Sequence, residues 1–298
     1  MRAVVFESFG GPEVLETVEV GTPVPGPAQV RIKVRAATVN PVDAAARAGA
    51  FGGEAGERVG LGWDVAGTVD AVGAEAPWSV GDEVVGLAYG VLKPLGTHAE
   101  FAVLDASAIA AAPRSVDAVR AATLPLNALA AAQALGLLRL SAGQSLLVTG
   151  AAGAVGGFAV QLARRAGLVV GALAGAGDEE LVRALGADRF VLRDGPLDGG
   201  YDGVLDAAVL GAAALAAVRD GGAYAGVIPG ASPASERGVR VETQEVAADG
   251  ELLAELVGLA DRGVLTLRVA ETYGLEDAAK AHARLQEGGV RGRLVLVP

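Results

Sequence analysis

The chain has no cysteine and only two histidines, His98 and His282. A disulfide framework, a thiolate zinc site and a cysteine nucleophile are therefore excluded, and too few imidazoles remain for ordinary metal coordination; no metal ligand is assigned. Positive charge is also short: 24 Lys and Arg face 35 Asp and Glu, a formal net charge of −11. That balance repels phosphate backbones and anionic lipids, and no basic stripe overrides it locally, so neither nucleic acid nor a membrane is an expected partner. Lysine is scarcest, three residues against 21 Arg, which reads as coding bias and carries no functional weight. Long apolar runs are missing too. One uncharged stretch, residues 121–138, is rich in Ala and is broken by Pro125, Asn127 and Gln133, so it reads as a buried helix and not as a membrane span. The opening "MRAVVFESFGG" alternates like a strand and lacks the apolar core of a signal peptide; cytoplasmic residence is the expectation.

What is present suits a globular protein. At 298 residues and 52% hydrophobic content the chain can bury a sizeable core in two domains. Residues 29–39 ("QVRIKVRAATV"), 66–73, 82–88 and 98–104 are short Val-rich runs bounded by Gly and Pro, the pattern of a small β-barrel. From about Ser115 helical and strand patterns alternate: an Ala-rich helix, "SLLVTG", a helix over 153–166, "LVVGAL", the helix "DEELVRALG", "RFVL", "DGVLDAA" and "GAYAGVI". Such alternation predicts a parallel sheet covered by helices. From about Val264 the chain returns to β character and ends in "GRLVLVP", so an interrupted first domain with a doubly wound domain inserted is expected.

The stretch "LLVTGAAGAVGG" places Gly150, Gly153 and Gly156 between an apolar strand and a helix. Glycines there permit a tight turn and let a pyrophosphate approach the N–H groups of Gly153, Ala154, Val155 and Gly156 at the positive end of the helix. A chain with 44 glycines produces such spacings by chance, but the strand, turn, helix and second strand around this one supply the context the motif needs. Asn40 and the "GVIPG" turn, with Val227 and Ile228, stand where walls for a nicotinamide are expected.

Those stretches, together with "FGGPEVLE", "VNPVD", "GWDVAGTVDAVG", "VGDEVVGL", "GTHAEFAV", "AATLPLNALAAAQAL", "LGAD" and "GVRGRLVLVP", resemble the medium-chain dehydrogenase/reductase superfamily, and more narrowly its zinc-independent quinone oxidoreductase branch, along nearly the whole chain. The resemblance implies an α/β fold, with a GroES-like β-rich catalytic domain (residues 1–117 and 264–298) interrupted by a Rossmann nucleotide-binding domain (118–263). Where zinc-dependent relatives carry ligands this chain has Asn40, Trp63 and Leu126. An alkoxide could not be polarised there, so hydride transfer to a quinone or to an α,β-unsaturated carbonyl is implied, with NAD(P)H as donor and a small molecule as acceptor.

The resemblance also implies site residues. Asn40 lines the nicotinamide end. Trp63, Asn127 and Ala130 line the substrate, Trp63 against a reading as a core aromatic and Asn127 against one as helix packing. Relatives have a hydroxyl at Ala130, whose loss costs roughly 0.5–1.5 kcal/mol. No catalytic acid is assigned: Asp43 is weighed against a helix cap, His98 against a structural histidine, and Ala45 stands where relatives place a Tyr, so protonation by solvent or substrate is expected. His282 reads as packing. Residues 45–62 are expected to flank the cleft. For cofactor choice, Asp178, 22 positions beyond Gly156, opposes a 2′-phosphate, whereas Arg193 can grip one. NADP(H) is favoured, with NAD(H) as the alternative. The departures at Ala45, Ala130, Ala174 and Asp178 keep open a repurposed member that binds a small molecule or catalyses a redox-neutral step with weakened nucleotide binding. Relatives imply a homodimer.

Overall fold

The structure is a computed structural model describing residues 1–52 and 58–298. Contacts divide the chain into two compact units, one of Met1–Leu126, Ala248–Gly263 and Leu267–Pro298, the other of Asn127–Ala247 and Val264–Thr266.

The first unit is built on the strand Gln29–Val39, whose burial alternates over Val30, Ile32 and Val34 and then becomes continuous through Ala36, Ala37, Thr38 and Val39. Alternation places one face on a core and one in water; the continuous end carries the chain into the interior and delivers Thr38 and Asn40 there. A seven-stranded sheet runs Val269–Gly274, Arg293–Val297, Gln29–Val39, Asp64–Val72, Glu83–Leu87 and Ile109–Ala111, with Phe101–Asp105 also paired to Gln29–Val39. A second sheet orders Glu16–Glu19, Arg2–Phe6 and Val59–Gly60. Between the two C-terminal strands lies the helix Ala278–Gln286, so the tail is not β throughout.

The second unit is a six-stranded parallel sheet in the order Arg189–Leu192, Val169–Ala174, Ser145–Thr149, Tyr201–Asp206, Val218–Gly226, Arg240–Thr243. Numbered along the chain this is 3-2-1-4-5-6, the dinucleotide-binding order, whose direction reverses between the first and fourth strands. Leu146, Leu147, Val204 and Leu205 are wholly buried, as strands covered on both faces must be.

The units do not divide at 117/118 and 263/264. Residues 118–126 and Ala248–Gly263 group with the β-rich unit because Leu126 donates its N–H to Asp64 and the helix Gly250–Asp261 packs on the strand Ile109–Ala111. Neither tie has a local sequence signal. The helical run Ala118–Leu138 is 21 residues long and apolar enough to cross a membrane by length and composition, but 67% of its apolar window is buried inside the protein, as in a core helix.

Candidate active site

In the β-rich unit the site is organised by one buried carboxylate. Asp64, at the start of the strand Asp64–Val72, is fully buried and accepts from Asn40 Nδ2 at 2.7 Å, from the Leu126 N–H at 2.6 Å and from the Thr38 hydroxyl. All three partners donate, which is the arrangement an acceptor-only carboxylate requires. Burial pushes its pKa up; those hydrogen bonds and the nearby Arg293 guanidinium work in the other direction. Arg293 is itself buried and donates to the Val39 carbonyl.

Asn40 precedes the helix Pro41–Arg47, and Asp43 closes on its backbone N–H at 2.8 Å. The second Asp43 oxygen accepts from Gly62 N at 2.8 Å. Asp43 thus serves as a capping and bridging carboxylate, while the Asn40 amide is engaged with Asp64 and, at 3.0 Å, with Thr38 Oγ1. Ala45 is a half-buried residue of that helix. Trp63 is buried, with Tyr89 edge-on at 5.2 Å between ring centroids and the Lys93 ammonium over its face at 5.3 Å. Of the segment 45–62, residues 53–57 lie outside the described residues.

His98 is buried, with Nε2 2.9 Å from the Thr38 carbonyl, and it meets His282 edge-on at 6.0 Å. His98 Nδ1 and both ring nitrogens of His282 have no hydrogen-bond partner among the described residues. Burial lowers both pKa values, His282 further because its protonation is opposed by a protonated His98 and by the Arg47 guanidinium; for His98, Asp43 and the Thr38 carbonyl oppose the shift and Lys93 adds to it. The unfolded chain therefore takes up protons near pH 6.5 that the folded chain refuses, and stability falls as pH drops below that value, by up to about 1.4 kcal/mol per pH unit for each His. Asp64, with its pKa raised, acts oppositely, from the carboxylate range upward. Urea midpoints should thus fall from pH 6.5 to 5.5. His282→Leu should lose about half of that slope; an unchanged slope would remove His282 as its source.

In the doubly wound unit, Gly150 turns at φ +59° directly after the strand Ser145–Thr149, and Gly153 caps the helix Ala154–Arg165. Gly157 N bonds back to Gly153 O at 3.0 Å, while the N–H groups of Ala154, Val155 and Gly156 have no intrahelical acceptor and open on the turn. A Cβ at Gly156 would lie 2.3 Å from Gly150 O, so turn and helix approach as closely as backbones can. At the reversal of strand order, Asp206 accepts from Thr149 Oγ1 at 2.5 Å, Gly211 N at 2.8 Å and Tyr224 Oη at 2.7 Å. Burial and Asp206 raise the Tyr224 pKa, fixing its hydroxyl as a donor. These residues fit a nucleotide: the N–H groups at the turn can donate to a pyrophosphate, and Asp206 ties Thr149, Gly211 and Tyr224 together where the strand order reverses.

Asp178 and Arg193 come together beyond the strand Val169–Ala174. A side chain starting at Gly175 would meet Asp178 Oδ2 at 3.2 Å and Arg193 Nη2 at 3.8 Å. Asp178 is buried, and Arg193 makes an exposed pair with Asp194 at 3.6 Å, too weak to withhold its guanidinium from an anion. Ala174, Asn127 and Ala130 are buried, the last two on the helix Pro125–Leu138. Val227 is half-buried and Ile228 is 47% exposed, just beyond the strand Val218–Gly226.

Residues 26–114 match the alcohol dehydrogenase GroES-like domain and residues 177–296 the zinc-binding dehydrogenase domain. The chain is 32% identical over 316 aligned residues to a chloroplastic NADPH-dependent alkenal/one oxidoreductase of Arabidopsis thaliana, covering 100% of this chain and 80% of that protein. It is 30% identical over 335 aligned residues to a quinone oxidoreductase of Pseudomonas aeruginosa, covering 100% and 99%. The chain belongs to the quinone oxidoreductase branch of the medium-chain dehydrogenase/reductase superfamily. Consistent with membership, this oxidoreductase-family fold superposes on the quinone oxidoreductase of Coxiella burnetii with a TM-score of 0.89 at 26% identity, covering 100% of this chain and 99% of that one.

Four site residues of this family member escape sequence reasoning: Asp64, Lys93, Asp206 and Arg293. Asp64 had one visible signal, an acid directly after Trp63 at the head of a run as apolar as "VAGTV". The other three are conspicuous only once distant segments are brought together.

Proposed function

We propose that the protein is a zinc-independent, nicotinamide-dependent reductase of quinones or α,β-unsaturated carbonyl compounds. The observation that carries this reading is the chemistry around Asp64. Asn40 and Leu126 present N–H donors to it, and Trp63 presents an indole face bearing an ammonium, so donors and a cation occupy the positions where zinc-dependent relatives carry ligands. That set does not fit a metal ion, and without a Lewis acid the acceptor must already be electron-poor. A bound reduced nicotinamide supplies the hydride. The chain's part is to hold the pyrophosphate on the N–H groups of residues 154–156, and to offer a flat acceptor the Trp63 and Tyr89 rings.

The test is steady-state reduction of a substituted benzoquinone and of cyclohex-2-enone, with oxidation of a secondary alcohol as the third arm. Reduction of either acceptor without added metal is expected. Alcohol oxidation alone would overturn the reading. No thermal protection by either nucleotide would favour the repurposed binder that Ala45, Ala130, Ala174 and Asp178 keep in view.

NADPH is the favoured donor through Arg193, and the Arabidopsis relative named as NADPH-dependent supports it. Arg193→Ala should weaken NADPH by about tenfold or more, the worth of a charge-assisted hydrogen bond, and leave NADH within about twofold. Equal losses for both nucleotides would remove the clamp. A homodimer joined through an edge of the doubly wound sheet, at Arg189–Leu192 or Arg240–Thr243, is the accompanying proposal, checked by light scattering.

A further inference from the structure

Lys93 is one of three lysines in a chain with 21 arginines. Lys33 is exposed on a strand, and Lys280 is an exposed partner of Asp277. Lys93 is half-buried and held at three points: its carbonyl accepts from Gly60 N at 2.8 Å, its ammonium donates to the Ala88 carbonyl at 2.5 Å, and the same ammonium lies 5.3 Å from the centre of the Trp63 ring. Ala88 is tied in turn to the Trp63 carbonyl at 2.7 Å, and Tyr89, half exposed, stands edge-on to the indole. An ammonium has three donors, and one of them is used on Ala88.

We propose that Lys93 is the proton donor of the reductase, receiving the acceptor's carbonyl oxygen on its ammonium while the flat acceptor lies on the Trp63 and Tyr89 rings. This rests on the reductase reading given above. Hydride addition to an enone or quinone moves an electron pair onto the carbonyl oxygen. An N–H bond of Lys93 then breaks and an O–H bond forms on that oxygen; the nitrogen keeps its electron pair as a neutral amine and regains a proton from water. An arginine could orient the carbonyl but would not release a proton. Lysine here can do both: burial brings its pKa down to about 8, with Asp43 and Asp64 opposing the fall. The other charged groups around it are His98, whose own pKa Lys93 lowers, and Arg293, which faces both carboxylates.

Three lysines make the test direct. In protein carrying 13C at lysine Cε, the Lys93 resonance, assigned by its absence from Lys93→Met, should titrate near pH 8. Duroquinone added without reduced nucleotide should shift the Lys93 resonance alone. Lys93→Met should lower kcat by about 10²- to 10⁴-fold with KM within a few-fold, and should erase the alkaline limb near pH 8 from the rate profile. Lys93→Arg should keep KM and fail to restore kcat, and both variants should melt within a few degrees of the parent. Parental kcat and pH profile in Lys93→Met, or a Lys93 resonance that has no midpoint near pH 8 and ignores duroquinone, would overturn the proposal. If the parent reduces neither acceptor with either nucleotide, the reductase reading fails, and the titration with duroquinone still decides whether Lys93 binds a carbonyl.

Discussion

Asp64→Leu should cost the β-rich unit about 3–5 kcal/mol, the loss expected when one member of a buried charged network is removed and its partners stay behind. The substitution strands the Leu126 N–H, the Asn40 amide and the Thr38 hydroxyl, and removes the negative charge that opposes the burial of Arg293. The Asn40 and Thr38 groups have no water to turn to, because Asp64, Asn40 and Thr38 are all fully buried. Asp64→Asn separates shape from charge. It fills the same volume but turns one acceptor into a donor facing other donors, and should cost about 1–3 kcal/mol. Urea unfolding with an unchanged m-value measures both. A loss below about 1 kcal/mol for the leucine variant would show that Asp64 does not organise the site.

Gly156→Val should abolish nucleotide binding while leaving the doubly wound unit folded. Its Cβ would start 2.3 Å from Gly150 O and 2.8 Å from Gly150 C, both backbone atoms. The turn cannot withdraw easily, since Gly150 already uses a φ of +59° that few other residues adopt. The helix Ala154–Arg165 must therefore move away from the turn, at a cost of about 1–3 kcal/mol, and its N–H groups move with it. With each charge-assisted hydrogen bond worth about 1.5–3 kcal/mol, losing two of them weakens the nucleotide by more than about 100-fold. Fluorescence titration with NADPH, and disappearance of the nucleotide-induced rise in Tm, check this. Binding within tenfold of the parent would mean that the pyrophosphate does not sit on this turn.

The parts legible in the sequence are those whose physics is local. The alternation of "QVRIKV" reports a half-buried strand because side chains on a strand point to opposite faces, and the structure has a strand at Gln29–Val39. The glycines of "TGAAGAVGG" report a tight turn into a helix because only glycine tolerates both the φ of Gly150 and the contact at Gly156. "LLVT" reports a strand covered on both faces. Domain membership was not legible in the same way: residues 118–126 look no different from the rest of their Ala-rich stretch, and what joins them to the β-rich unit is the packing of the helix Ala118–Ala121 on the strands Gln29–Val39 and Asp64–Val72, with the Leu126 N–H reaching Asp64 across 62 residues.

The sequence by itself determined that this protein has a β-rich part and a doubly wound part, that a glycine turn opens a helix after the first strand of the latter, and that no cysteine chemistry is available to it. Only the tertiary structure decided which carboxylate organises the site and which lysine is unlike the others. Asp64 gathers donors from residues 38, 40 and 126, and Lys93 meets Trp63 and Ala88 across a pairing with Gly60. The reason is that hydrophobic periodicity and turn chemistry act between near neighbours, whereas desolvation and charge act through space. A lysine becomes a titrating group near neutral pH only when the folded chain takes the water away from it.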